Sequence, residues 1–140
     1  MILDFSVDRI CVGNSMEEKI HHEKENGMDE RKELGKIQNV KFGIGGYQDA
    51  CLGIFFTLGG DHWGVCAEKS AWDKNLVTVS DHTKWTEADR SRQYDEILRY
   101  VSDLLKEAKV DDVSRLVGKP IEATFDGMTL KSWRILTEVL

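Results

Sequence analysis

The stretch Lys41-Phe42-Gly43-Ile44-Gly45-Gly46-Tyr47-Gln48-Asp49-Ala50-Cys51-Leu52-Gly53-Ile54-Phe55-Phe56-Thr57-Leu58-Gly59-Gly60 decides the fold. Six of the chain's twelve glycines fall in it. Ala50 to Leu58 is a run of large apolar residues that reads as a buried strand, with a glycine pair on each side. Glycine-punctuated strands in succession predict a meander whose corners need backbone angles that a side chain would block. Gly43, Gly45 and Gly46 also bare backbone N–H groups beside Tyr47 and Asp49. Two readings follow: the glycines shape a tightly packed sheet, or they admit a small anionic ligand close to the backbone.

Before this stretch, Ile37 to Ile44 opens the main sheet, with Ile37, Val40, Phe42 and Ile44 on its apolar side. After it, Gly59-Gly60-Asp61 is a turn and His62 to Ala67 resumes as a strand. Ser70 to Lys84 reads as a polar loop. Thr86 then caps the clearest helix, with Asp89 placed to reach back to the free N–H groups of its first turn. Tyr94, Ile97, Leu98, Val101, Leu104, Leu105 and Ala108 form one stripe at helical period. Val113 to Val117 adds a helical turn that ends at Gly118 and Pro120.

Asp126-Gly127 predicts a two-residue hairpin turn that pairs Phe125 with Met128, Ala123 with Leu130 and Ile121 with Ser132. Glu122 then meets Lys131 on the opposite face. Continued by twos, this register places Arg134 on the face of Leu130 and turns Trp133 and Ile135 outward. Three outcomes are open: an arginine paired internally with an acid such as Asp49, an arginine that clamps phosphate or carboxylate, or a bulge near Ser132 that resets the phase and leaves the arginine solvated.

The N-terminal part has a different character. Met1 to Gly13 alternates loosely, as a short strand would. Ser15 to Gly35 is crowded with Glu, Lys, Asp and Arg and reads as an exposed helix or arm. The expected fold class is therefore α+β: a curved antiparallel sheet, meander plus C-terminal hairpin, with one long helix and a charged N-terminal helix or arm. Residues 1–36 form the strand and charged arm, and 37–140 a single α+β domain.

A length of 140 residues with 41% hydrophobic and 31% charged residues fits one globular domain with a real core. The net charge of −6 argues against wrapping duplex nucleic acid. No apolar run is long enough to span a bilayer, and Met1 to Ser15 lacks the pattern of a signal peptide. Cys11, Cys51 and Cys66 have no paired spacing, which points to a reducing compartment and away from a zinc site. Phosphate-loop, metalloprotease and nucleophile-elbow motifs are missing, so the expectation is a non-enzyme with no cofactor and no metal.

Three strings carry a resemblance over Ile37–Leu140: Phe42-Gly43-Ile44-Gly45-Gly46-Tyr47-Gln48-Asp49-Ala50, Trp63-Gly64-Val65, and Leu130-Lys131-Ser132-Trp133-Arg134-Ile135-Leu136. The helix after Trp85-Thr86-Glu87 and the turn Gly118-Lys119-Pro120 accompany them. The chain resembles small bacteriophage proteins, and among these the Thoeris anti-defence sponges that bind cyclic ADP-ribose-type signals. The resemblance implies a homo-oligomer in the host cytoplasm that sequesters a small cyclic nucleotide without cleaving it. It implies phosphate contact by Arg134, and Lys131 is a second cation of the same string. Trp133, Tyr47 and Trp63 are stacking candidates by their chemistry, and Gly45 and Gly46 offer backbone. The alternative is an acidic protein that blocks a host defence factor by direct contact.

Overall fold

The structure, a computed structural model, describes residues 30–140. Five antiparallel strands form one curved sheet: β1 (Glu30–Gly45), β2 (Cys51–Gly59), β3 (Gly64–Trp72), β4 (Pro120–Asp126) and β5 (Thr129–Ile135). Their spatial order is β3-β2-β1-β4-β5. One helix, α1 (Glu87–Ala108), crosses the β2–β3 half. This is the α+β class expected from the sequence. The short strand read at residues 1–13 and most of the charged arm lie outside the described residues.

The long strand β1 holds the sheet together. Its first half, Glu30 to Lys36, pairs with β4, and Lys36 to Gly45 pairs with β2 on the other edge. Residues 30–36 are therefore part of the sheet, not of an arm or helix, and the domain begins at least seven residues earlier than the sequence suggested. Their charges are accommodated across strands: Lys32 Nζ donates to Thr124 Oγ1 at 3.2 Å, Arg31 stacks 4.8 Å from the Phe125 ring, and Lys131 binds Glu30. A bulge at Gln38 shifts the register between Ile37 and Asn39. It keeps Ile37, Val40, Phe42 and Ile44 on one face, opposite Leu58, Phe56, Ile54 and Leu52.

That face carries the core. Ile37, Ile54, Leu58, Leu116, Ile121 and Ala123 are fully buried there, joined by Phe56, Phe125, Leu130 and Ile135. Burial of such aliphatic side chains supplies about 1.5–3 kcal/mol each relative to exposure. The connection from β1 to β2 is tight. Gly46 has φ 73° and ψ −155°, a region open to glycine alone, and Gln48 and Asp49 follow with φ near 50°.

Helix α1 starts as its sequence dictates. Asp89 N–H donates to Thr86 Oγ1 at 3.1 Å, and Thr86 N–H donates to Asp89 Oδ2 at 2.9 Å. Its buried face differs from the apolar stripe. Leu98 is exposed, whereas Arg90 and Gln93 are buried with Ile97, Leu104 and Ala108. The first turns of α1 lie over the end of β3 and the loop beyond it, where carbonyls need donors. Arg90 donates to Val77 O at 2.8 Å and Trp72 O at 3.4 Å, and stacks 4.7 Å from the Trp85 ring.

Strand β3 runs on to Trp72, past the expected end at Ala67. Its polar residues are satisfied in place, with Ser70 Oγ donating to buried Glu68 at 2.7 Å. In the hairpin, Gly127-Met128 form the turn, one residue beyond the expected one, and Asp126 pairs with Thr129, so Phe125 faces Leu130 instead of Met128, a two-residue change of register. Gly127 takes φ 65°, and Met128 projects into solvent, 90% exposed. Lys131 is then bulged, so Trp133 and Ile135 point into the core beside Ala123 and Ile121.

Candidate functional site

The bulge at Lys131 decides the fate of Arg134. The guanidinium lies on the outer face and is half exposed; Nε donates to Glu122 at 3.0 Å, and Nη1 and Nη2 grip Glu138 at 3.1 and 3.0 Å. The internal pairing with Asp49 is thus replaced by a two-acid clamp near the C-terminus. Glu138 and Glu122 both raise the guanidinium's affinity for its proton, and Arg134 holds the Glu138 carboxyl down at about 2. Lys131 is likewise engaged, by Glu30, whose carboxyl it holds below the usual range through their hydrogen bond and charge.

The other candidates lie elsewhere. Trp133 is half-buried, its ring packed edge-on against the core, 5.0 Å from Phe56 at 67°. Tyr47 is exposed beyond the far end of β1, edge-on to Trp72 at 6.2 Å. The 16 residues of β1 separate Lys131, at Glu30, from Tyr47. At about 3.3 Å per residue that is roughly 50 Å measured along the curved strand, against a small nucleotide several times shorter. One chain does not bring these side chains to one ligand.

Gly45 and Gly46 face their own protein. A Cβ at Gly45 would stand 3.2 Å from the Phe55 ring. One at Gly46 would meet Cys51 Cβ at 3.0 Å and the Glu68 carboxylate at 3.4 Å. These glycines serve close packing beside an acid, which is poor ground for an anion. Of the two readings of this stretch, the geometry matches the packing one.

Trp63 is the candidate that sits in a built surface. Its Nε1 donates to Leu34 O at 3.3 Å and its ring meets Phe125 edge-on at 5.4 Å. Gly35 makes room for it: a Cβ there would stand 2.6 Å from the indole and collide with Gly59 O. The indole thus caps one carbonyl, that of Leu34, on the edge of β1 that β2 does not reach. Around it run two shallow grooves. Leu34, Gly35, Lys36, Gln38, Gly59, Gly60 and Asp61 line one, and Lys32, Glu33 and His62 join Leu34, Asp61 and Trp63 in the other. Leu34 stands between them, 66% exposed, with cations and anions about it.

The chain matches no family model, no curated protein and no solved structure. The resemblance to phage sponges rests on the quoted strings alone. Among the described residues no helix is long and apolar enough to cross a membrane, and no group of three His, Cys, Asp or Glu side chains is placed to hold a metal.

Sequence reasoning missed Leu34, Lys32 and Lys36, because it assigned them to the arm. Leu34, a lone apolar residue in a charged run, was the signal available. It also missed Arg90 and Gln93, whose partners lie in a loop with no local pattern.

Proposed function

We propose that this chain is a binding protein that acts by surface contact with another protein, through the Leu34–Trp63 surface. The observation that carries the reading is Leu34: a large aliphatic side chain held out between two grooves on a rigid strand, its carbonyl fixed by the Trp63 indole. An apolar centre with a charged rim is the anatomy of a protein contact. Lys32 and Lys36 offer cations to the partner, and Glu33 and Asp61 offer anions. On the resemblance to phage proteins, the partner class is a host defence factor.

Sequestration of a cyclic nucleotide is the competing reading. The Arg134 clamp bears against it within one chain, because a phosphate would have to displace two carboxylates. Two measurements separate the readings. In host extract, a partner captured by the wild type is expected to be lost with Leu34→Glu and retained with Arg134→Ala. In a heat-stability series with cyclic ADP-ribose-type nucleotides, no concentration-dependent rise in Tm is expected. A saturable rise that Arg134→Ala abolishes would overturn surface contact in favour of sequestration.

A further inference from the structure

The C-terminal half of β1 has an unfinished edge. Beyond Ile37, which exchanges backbone hydrogen bonds with Gly118 and Lys119, no described strand pairs with the side of β1 facing away from β2. Phe42 is 47% and Ile44 38% exposed on the face that carries the core. The strand also contains a glycine its own fold does not use: a Cβ at Gly43 would meet nothing nearer than Lys41 Cε at 3.9 Å. A glycine inside a strand weakens it and often marks close approach by another backbone.

We propose that this edge pairs with the same edge of a second copy, antiparallel about a two-fold axis through Phe42. The register is self-complementary. Phe42 opposes Phe42 of the second copy, Val40 opposes Ile44, Lys41 opposes Gly43 and Asn39 opposes Gly45. Apolar residues meet on the core-bearing face, and each lysine lies over a glycine. An axis at Lys41 would set two ammonium groups face to face, and an axis at Gly43 would leave Val40 without an apolar partner. The paired stretch runs from Asn39 to Gly45, because Gln38 is bulged, Ile37 already bonds Gly118 and Lys119, and the chain turns at Gly46.

Charge favours this edge over the rest of the surface. The chain carries a net −6, yet Ile37 to Gly45 holds a single charge, Lys41. Two acidic molecules meet here with little repulsion. The product is a two-fold dimer with one continuous sheet.

Sedimentation of the full chain across a concentration series tests the proposal, and a reversible dimer is expected. Gly43→Lys places like charges opposite each other twice and is expected to weaken association roughly tenfold, whereas Gly43→Glu, which faces Lys41, preserves or tightens it. Phe42→Cys reads the register directly. A residue on the axis opposes itself at about 4.5–5.5 Å between Cα atoms, within disulfide reach, so oxidation is expected to give a covalent dimer that the wild type does not form. A monomer at every concentration, including one whose edge is covered by its own residues 1–29, overturns the proposal. So do equal effects of lysine and glutamate at position 43, or failure of the cysteine variant to cross-link.

Discussion

The two halves of β1 are one strand with opposite characters. Glu30 to Lys36 is charged at five of its seven positions, yet its pairing to β4 is complete, and on its other edge the Trp63 indole binds the Leu34 carbonyl. Ile37 to Gly45 is almost uncharged and reads as a strand at sight, yet one of its edges meets no described strand. Strand formation here follows the partners available and not the composition of the segment. Charge is tolerated in the first half because Glu30, Arg31 and Lys32 cross to neighbours on β4 and β5, and Glu33 pairs with Arg31 along the strand. The apolar second half leaves surface uncovered.

The largest expected effect falls where the halves meet. Ile37 is fully buried between them, and Ile37→Ala should cost about 2–5 kcal/mol in chemical denaturation. If that loss were below about 1 kcal/mol, the halves would not share a core. Next come two glycines in the same strand with opposite expected signs. Gly35→Ala forces a methyl into the Trp63 indole and the Gly59 backbone, and should destabilise by about 1–3 kcal/mol. Gly43→Ala has open space and should stabilise the monomer by about 0.5–1 kcal/mol. Equal effects at the two positions would erase the contrast between the halves.

The smallest effect lies at the outer face of β5. The Glu138 carboxyl, held at about 2 beside Arg134, should titrate there by NMR and move up toward its ordinary 4.5 in Arg134→Ala. Because the folded value is depressed, the pair's contribution is present above about 4.5 and fades as pH falls toward 2. An unchanged midpoint in the variant would mean that the clamp does not persist in solution.

Much of the fold was legible. The apolar run at Cys51–Leu58, the Thr86–Asp89 capping box and the side shared by Ile37, Val40, Phe42 and Ile44 are local patterns, and local patterns survive folding. What escaped depends on distant partners. The strand at residues 30–36 is stabilised by Thr124, Phe125 and Lys131, more than ninety residues away in sequence. The hairpin turn moved by one residue, and the pairing by two, because core packing of Leu130, Trp133 and Ile135 outweighed the intrinsic preference for an Asp126-Gly127 turn. The candidate site was less legible than the fold. Trp63 was recognised for its ring, but its neighbour Leu34 lay in a segment read as solvated charge, and Arg134 changed faces with the bulge.

Amide hydrogen exchange along β1, measured at several protein concentrations, tests most directly whether the second half's open edge closes on another copy. Amides from Glu30 to Lys36 that bond to β4 are expected to exchange at one slow rate throughout. Between Asn39 and Gly45, the alternate amides that point away from β2 should exchange quickly in dilute solution and become protected as concentration rises. Protection there that is the same at every concentration would contradict the open edge, and rapid exchange that persists at the highest concentration would contradict its closure by a second copy.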